Sequence, residues 1–487
     1  MTLTEDPLPG LDAVVRGIMR DWHVPGLALA VVSNGQVLTA RGYGHADVGR
    51  KLPVTPETAF AIGSCTKAFT TTALAMLVER GKLAWDRPVR DYLPEFRLFD
   101  EVAGARVTPR DLACHRTGVP RHDPVWYLAD VSREELVRRL AHLPNSIDLR
   151  ARYQYNNLMY ITAGVLVEAV SGMRWETFVR RYLLEPLGMT RTSFSPARAL
   201  ALGNLARPHL LRKGRIEPIP FMAEGEDALS AAGWIHASVL DMTHWLRFQL
   251  AGGEAGGAGR LISQQALGET HTPQVVASEP FPMFTHFPEV GVPLYGLGWR
   301  IQTYRGHLAI SHGGAIDGYC AQTSFLPRDG VGAVILTNLD DHSAAQIVLY
   351  AIYDRLLGLD AIDWNARIRQ RTAALRELAD AEAAQARTSR SAAGGPAVAL
   401  EAFAGRYHHP GYGGLEVRAD ASGLTVKHNR LAYTATRLGA LSVELTHPLV
   451  SEPRFARFLL DSSGNVDGVA IPFEPSVPEI VFARRRC

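Results

Sequence analysis

Residues 27–43 read LALAVVSNGQVLTARGY, two apolar runs rich in strand-forming residues around Ser33-Asn34-Gly35. Asn-Gly between such runs is a strong hairpin signal, because both residues tolerate the positive φ of a tight turn. Working outward, the pattern turns helical from Ser64 to Arg80, with Phe69, Ala73, Leu77 and Val78 at spacings of three and four and Gly81 as a stop. Helical patterns recur at 134–143, 158–170 and 239–251, and strands return at 295–312 and 320–339, the last pair turning at Pro327-Arg328-Asp329-Gly330. Helices are thus inserted between the first and last strands of one sheet, which predicts an α/β layered domain with strands from both chain ends.

The chain has 487 residues, 47% of them hydrophobic, with a net charge of +2. That length supports two substantial cores and that composition excludes disorder. Near-neutral charge provides no general reason to expect nucleic acid or an anionic membrane as partner. No window approaches the roughly 18 apolar residues of a membrane span. The start, MTLTEDPLPG, lacks the basic and apolar regions of a secretory signal, and the four cysteines form no CxxC pair, so a cytoplasmic, thiol-reduced protein is expected.

Residues 365–391, rich in Ala, Arg and Glu, predict a surface helix running into a linker at 392–397. The expected division is therefore 1–391 for the first domain and 398–487 for the second. Beyond the linker, six short β-like runs (GGLEVRA, GLTVKH, ALSVELT, RFARFLL, VDGVAI, EIVFAR) predict a small antiparallel barrel or sandwich.

The sharpest chemical signal is Ser64-Cys65-Thr66-Lys67. Serine and lysine three residues apart share a helix face, and a lysine desolvated in a pocket can serve as the base that a serine nucleophile needs. Alone, this pattern is met by any capped helix with an exposed lysine. Its company is Tyr155-Asn156-Asn157 ahead of an apolar helical run and His312-Gly313-Gly314 at the end of a strand. Tyrosine supplies a second acid/base, asparagine orients the lysine or a substrate amide, and glycine lets a substrate backbone lie against a strand edge. Cys65 points about 100° away from Ser64 on a helix, which argues against it as nucleophile. His408-His409-Pro410 reads as a turn beside a strand, and neither HExxH nor GxSxG occurs, so no metal and no cofactor is expected.

With these motifs the sequence resembles the serine β-lactamase and penicillin-binding-protein superfamily, in its class C and esterase-like branch. The resemblance spans roughly residues 10–360 and includes Leu112–Gly118, Glu185–Met189, Ala232-Gly233-Trp234 and Gly296–Trp299. It implies a β-lactamase/transpeptidase-like domain with an antiparallel sheet and a helical insertion. It further implies Ser64 as acylated nucleophile, Lys67 as base or relay, Tyr155 as the group that passes the proton to the leaving group, and Asn157 as holder of Lys67 and the substrate amide. His312 stands where many relatives have lysine and is expected to bring a titratable charge near Tyr155. The oxyanion hole maps to the backbone N–H groups of Ser64 and Ala315, with Gly314 allowing close approach. No residue is identified as the class A deacylating glutamate, so slow leakage on a lactam is the most expected.

Tyr407–Gly413 and Pro472–Pro475 resemble the lipocalin-like domain appended to serine hydrolases of this branch. Such a domain at the mouth of the site restricts acyl donors, and Trp234, Arg454, Arg457 and Arg484 are candidate substrate contacts, the arginines for a carboxylate or carbonyl. The combination looks most like the penicillin-binding-protein-type thioesterases. That implies head-to-tail macrocyclisation of a nonribosomal peptidyl thioester with a D-residue at the acyl donor, delivered by a carrier domain of a peptide synthetase. The alternatives are a D-stereospecific peptidase, amidase or esterase, and a catalytically idle binding scaffold, which the intact motif set disfavours.

Overall fold

The computed structural model describes residues 6–221, 229–277, 287–391, 398–421 and 423–485. The expected linker at 392–397 lies outside the described residues, as do Arg486 and Cys487. Strands β1 (Gly26–Ser33) and β2 (Gln36–Asp47) form the expected hairpin, with Ser33 opposite Gln36 and Asn34 and Gly35 at φ 48° and 75°. The next strands are β3 (Leu52–Pro53), β4 (Ala59–Ala61), β5 (His209–Arg212), β6 (Arg215–Pro218), β7 (His236–Ser238) and β8 (Val275–Val276). They are followed by β9 (Leu294–Tyr295), β10 (Arg300–Tyr304), β11 (His307–Ile316), β12 (Tyr319–Leu326) and β13 (Val331–Thr337). The nine-stranded sheet runs β3-β2-β1-β13-β12-β11-β10-β9-β8, so the first and last long strands pair antiparallel near its middle.

The unbroken apolar run of β1 has a packing reason. Ala28, Ala30 and Val32 face a core that includes the helix Thr66–Glu79, while Leu27, Leu29 and Val31 face another that includes the helices Leu11–Asp21 and His342–Leu356. A sheet covered by helices on both faces buries alternate side chains in different cores, so its central strands are apolar throughout.

The strands expected at 295–312 are three, with residues 296–299 between β9 and β10 and a tight turn at Arg305 (φ 49°) and Gly306 (φ 89°) between β10 and β11. One expectation is corrected. The His312-Gly313-Gly314 segment is interior to β11, which continues to Ile316 rather than ending there.

The helix Trp364–Ser391 precedes a second body. There β14 (Gly405–His409), β15 (Gly413–Asp420), β16 (Gly423–His428), β17 (Leu431–Arg437), β18 (Ser442–His447), β19 (Val450–Leu460), β20 (Val466–Ile471) and β21 (Ile480–Arg484) close into an antiparallel, lipocalin-like barrel. The six expected runs are joined by β14 and β17. His408 and His409 lie in β14, with the turn following them. The barrel core is continuous with that of the helical insertion: Val119, Val125, Leu158 and Trp234 belong to the same apolar cluster as Tyr412, Val426 and Phe482.

Candidate active site

Three elements converge on Ser64. A single 3-10 turn, Gly63–Cys65, leads into the helix Thr66–Glu79, which is buried along nearly all of its length and so takes its place from the surrounding core rather than from one apolar stripe. Serine and lysine thereby fall on one turn, with Lys67 Nζ 2.9 Å from Ser64 Oγ. In Tyr155-Asn156-Asn157 the middle residue is the helix cap: Asn156 Oδ1 accepts from Leu158 N at 2.7 Å. That leaves Tyr155 just outside the helix, its hydroxyl 2.7 Å from Ser64 Oγ, and Asn157 in the first turn, its Oδ1 2.8 Å from Lys67 Nζ. The third element is β11, packed so closely on the Ser64 turn that a Cβ on Gly314 would lie 2.0 Å from the Ile62 carbonyl oxygen and 2.9 Å from Ser64 N. Glycine in mid-strand marks such a close approach.

Lys67 is completely buried, and burial, reinforced by the Arg121 charge and partly offset by Asp123, holds its pKa well below the usual lysine range. Its third partner is the Ala232 carbonyl at 2.7 Å. A neutral amine has two N–H groups for the carbonyl oxygens of Asn157 and Ala232, and its lone pair is then left for the Ser64 hydroxyl proton. Burial likewise pushes the Cys65 thiol up to about 12, and its Sγ donates to the His312 carbonyl, so it has no role as a thiolate.

The titratable charge expected of His312 is governed by its burial. Burial draws its pKa well below the usual histidine value, and both ring nitrogens are engaged, Nδ1 with the Gly313 carbonyl at 2.6 Å and Nε2 with the Tyr295 hydroxyl at 2.9 Å. The carbonyl accepts from Nδ1–H, and in the neutral ring that burial favours, Nε2 accepts from the Tyr295 hydroxyl.

Ser64 opens into a cleft of about 310 Å³ between the two bodies. One side is lined by Arg121, Asp123, Asn157, Ala315 and Asp317, the other by His428, Leu431, Tyr433, Leu449, Val450 and Arg454 of the barrel. Of the four candidate substrate contacts, the structure places only Arg454 in this cleft. Arg457 is exposed and paired with Glu479, and Arg484 bonds the carbonyls of Ala402, Ala404 and Val466. Trp234 is buried in the core shared with the barrel. Cys65, Cys114 and Cys320 are free and buried. No helix among the described residues is long and apolar enough to cross a membrane.

Sequence reasoning missed Arg121, Asp123 and Asp317. Arg121 lies over the Tyr155 ring, 5.0 Å from its centroid, and pairs with Asp123 at 2.7 Å. Asp317 accepts from the Tyr127 hydroxyl at 2.6 Å, and burial pushes its pKa up to about 6. Arg121 lies in a loop, Asp123 opens a single 3-10 turn and Asp317 sits in a strand turn, where no periodicity marks them; the polar triplet Arg121-His122-Asp123 soon after Gly118 was the available signal.

Residues 11–355 match the beta-lactamase family. The chain belongs to this family. As a beta-lactamase-family protein with this site it is a serine hydrolase. Residues 389–484, which include the barrel, match a family described only as a domain of unknown function, DUF3471. The chain is 29% identical to an unguisins hydrolase of Aspergillus campestris over 97% of its own length and 92% of the relative's. It is 30% identical to another unguisins hydrolase, of Aspergillus violaceofuscus, over 90% and 81%. Among solved structures it resembles an octameric penicillin-binding protein homologue from Pyrococcus abyssi, with TM-score 0.64, 23% identity and coverage of 97% of this chain and 99% of that one. SurE with D-Leu aligns at TM-score 0.54 and 20% identity over 98% and 99%. At such identities these structures show a shared fold across both bodies.

Proposed function

We propose that the protein is a peptide acyltransferase in which Ser64 takes the acyl end of a peptidyl thioester and the peptide's own amine releases it as a macrolactam. In acylation the Ser64 proton passes to Lys67 Nζ, Oγ bonds to the carbonyl carbon, and the thiolate leaves with a proton delivered through the Tyr155 hydroxyl. Release reverses these transfers, with the amine nitrogen forming the new bond and its proton returning to Ser64. The N–H groups of Ser64 and Ala315 receive the oxyanion in both steps.

The observation that carries this reading is the charge in the cleft. Asp317 stands two residues beyond Ala315, and no lysine or arginine among the described residues pairs with it. A carboxylate without a cation beside the acyl-enzyme suits an incoming ammonium group, and Arg454 across the cleft suits a carbonyl or carboxylate of the chain. The structure of SurE with D-Leu, which shares this fold, supports a D-residue at the acyl end. The donor is then a carrier-bound peptide of a synthetase in the cytoplasm.

A second reading, hydrolysis of D-residue peptides by water, is favoured by the name unguisins hydrolase on relatives matched over most of their length. Peptidyl thioesters of several lengths, each ending in a D- or an L-residue, separate the two by mass spectrometry. Mainly cyclic product from the D-series is expected. Linear acid at every length overturns cyclisation in favour of hydrolysis, and equal use of the L-series overturns the stereochemical preference.

A further inference from the structure

The segment from Gly118 to Leu128 crosses between the active site and the barrel and is gripped from both sides. On the active-site side, Asn156 Nδ2 donates to the Val119 and Pro120 carbonyls, and Asn157 Nδ2 donates to Asp123 Oδ1 at 3.4 Å. On the barrel side, Asn429 Nδ2 donates to the Pro124 and Tyr127 carbonyls at 2.8 and 3.0 Å, and Arg430 N to Leu128 O at 3.2 Å.

At its centre is His122, completely buried between two residues that face the cleft, with its backbone at φ 46°. A non-glycine residue in this left-handed region is strained and persists only where its surroundings impose it. The barrel imposes it here. His122 N donates to Glu474 Oε2 at 3.2 Å, and His122 Nδ1 is 2.7 Å from the Tyr412 hydroxyl. The other ring nitrogen, Nε2, faces the Pro144 carbonyl at 3.0 Å, so it carries the proton, and burial keeps the ring neutral. Tyr412 is therefore the donor. Its ring stacks on Phe473 at 5.5 Å, and Glu474 Oε1 is held by Ser476 N and Oγ, so both barrel groups are themselves fixed.

We infer that the barrel is a working part of the acylation site: Tyr412, acting through His122, is a positioning residue that sets Arg121 and Asp123 against Tyr155, Asn157 and Lys67. Arg121 and Asp123 flank His122 directly, and they are the two charges outside the Ser64–Lys67 turn that act on the lysine. Lys67 is otherwise faced by Cys65 on its own turn, by His115 and His312, and by the rings of Tyr155 and Tyr160 at 4.9 and 5.3 Å. Burial favours the neutral form of both histidines. Of the two loop charges, Arg121 acts more strongly, and it lowers the lysine pKa. Releasing the loop therefore lets Lys67 hold its proton to higher pH.

Tyr412→Phe tests this in the full chain, since it keeps the ring on Phe473 and removes only the hydroxyl. With a small neutral nitrophenyl ester, which makes no demand on peptide recognition, kcat is expected to fall about tenfold with KM little changed. The acid limb of kcat/KM is expected to move to higher pH. Arg121→Gln is expected to move the limb the same way, and the double variant to move it no further than Arg121→Gln alone. Should Tyr412→Phe fold poorly, Glu474→Gln loosens the same loop from its backbone side and is expected to shift the limb in the same direction. A limb unmoved in soluble variants, with only thermal stability lowered, overturns the proposal, as does a double variant whose shifts add. Because kcat/KM and the nitrophenol burst with this ester report acylation alone, failure here is distinct from failure of the cyclisation reading.

Discussion

The floor of the cleft and its walls are built in different ways. The floor consists of Ser64, Lys67, Tyr155 and Asn157, each placed by short-range structure: one 3-10 turn, one helix start, one asparagine cap. The walls consist of Arg121 and Asp123 on a loop, Asp317 at a strand turn, and Leu431, Tyr433 and Arg454 from a separate barrel. Beyond the Arg121–Asp123 ion pair, no local element holds these in register. They meet because the barrel and the helical insertion share one apolar core. The comparison teaches that the bond-making chemistry is specified over a few residues, while the choice of what reaches it rests on docking between distant segments.

The sharpest way to break this division is at the floor. Ser64→Ala is expected to abolish acyl transfer, by more than about 1000-fold, with the fold intact. Intact-mass measurement after exposure to an activated ester checks it: continued acylation at another residue refutes the assignment. A smaller but structural effect is expected where the sheet meets the floor. Gly314→Ala puts a methyl 2.0 Å from the Ile62 carbonyl oxygen and is expected to cost about 1–3 kcal/mol, read as a lowered Tm together with slower acylation. The smallest effect belongs to the wall. Arg454→Ala is expected to raise KM for peptide substrates several-fold more than for a small ester, and an equal rise for both would move Arg454 out of peptide recognition.

Legibility in the sequence followed the same line. Asn34-Gly35 announced its hairpin because those two residues favour the left-handed backbone that such a turn needs. Arg305-Gly306 makes a similar turn with a residue that has no such preference, and the sequence does not mark where the strands around it divide. Strand β17 passed unnoticed between the six legible runs, although its Leu431 and Tyr433 reach the cleft. His312 was legible as a strand residue beside two glycines, but its charge was not. Burial, with the Lys67 and Arg300 charges nearby, is what draws its pKa down, and none of these is visible in the local sequence.

By itself, then, the sequence determined the hairpin, the serine–lysine turn, the helical run after Tyr155-Asn156-Asn157 and the division into a helix-inserted sheet and an all-β body. Each depends on residues within a turn or two of one another, where backbone preference and side-chain spacing act directly. Tertiary structure alone decided which of the three barrel arginines enters the cleft, that burial favours the neutral form of His312, and that the Arg121–Asp123 pair lies against Tyr155 and Asn157. Those outcomes depend on burial and on contacts between segments hundreds of residues apart, such as Tyr412 with His122, and burial acts on charge and hydrogen bonding only once the chain has closed around them.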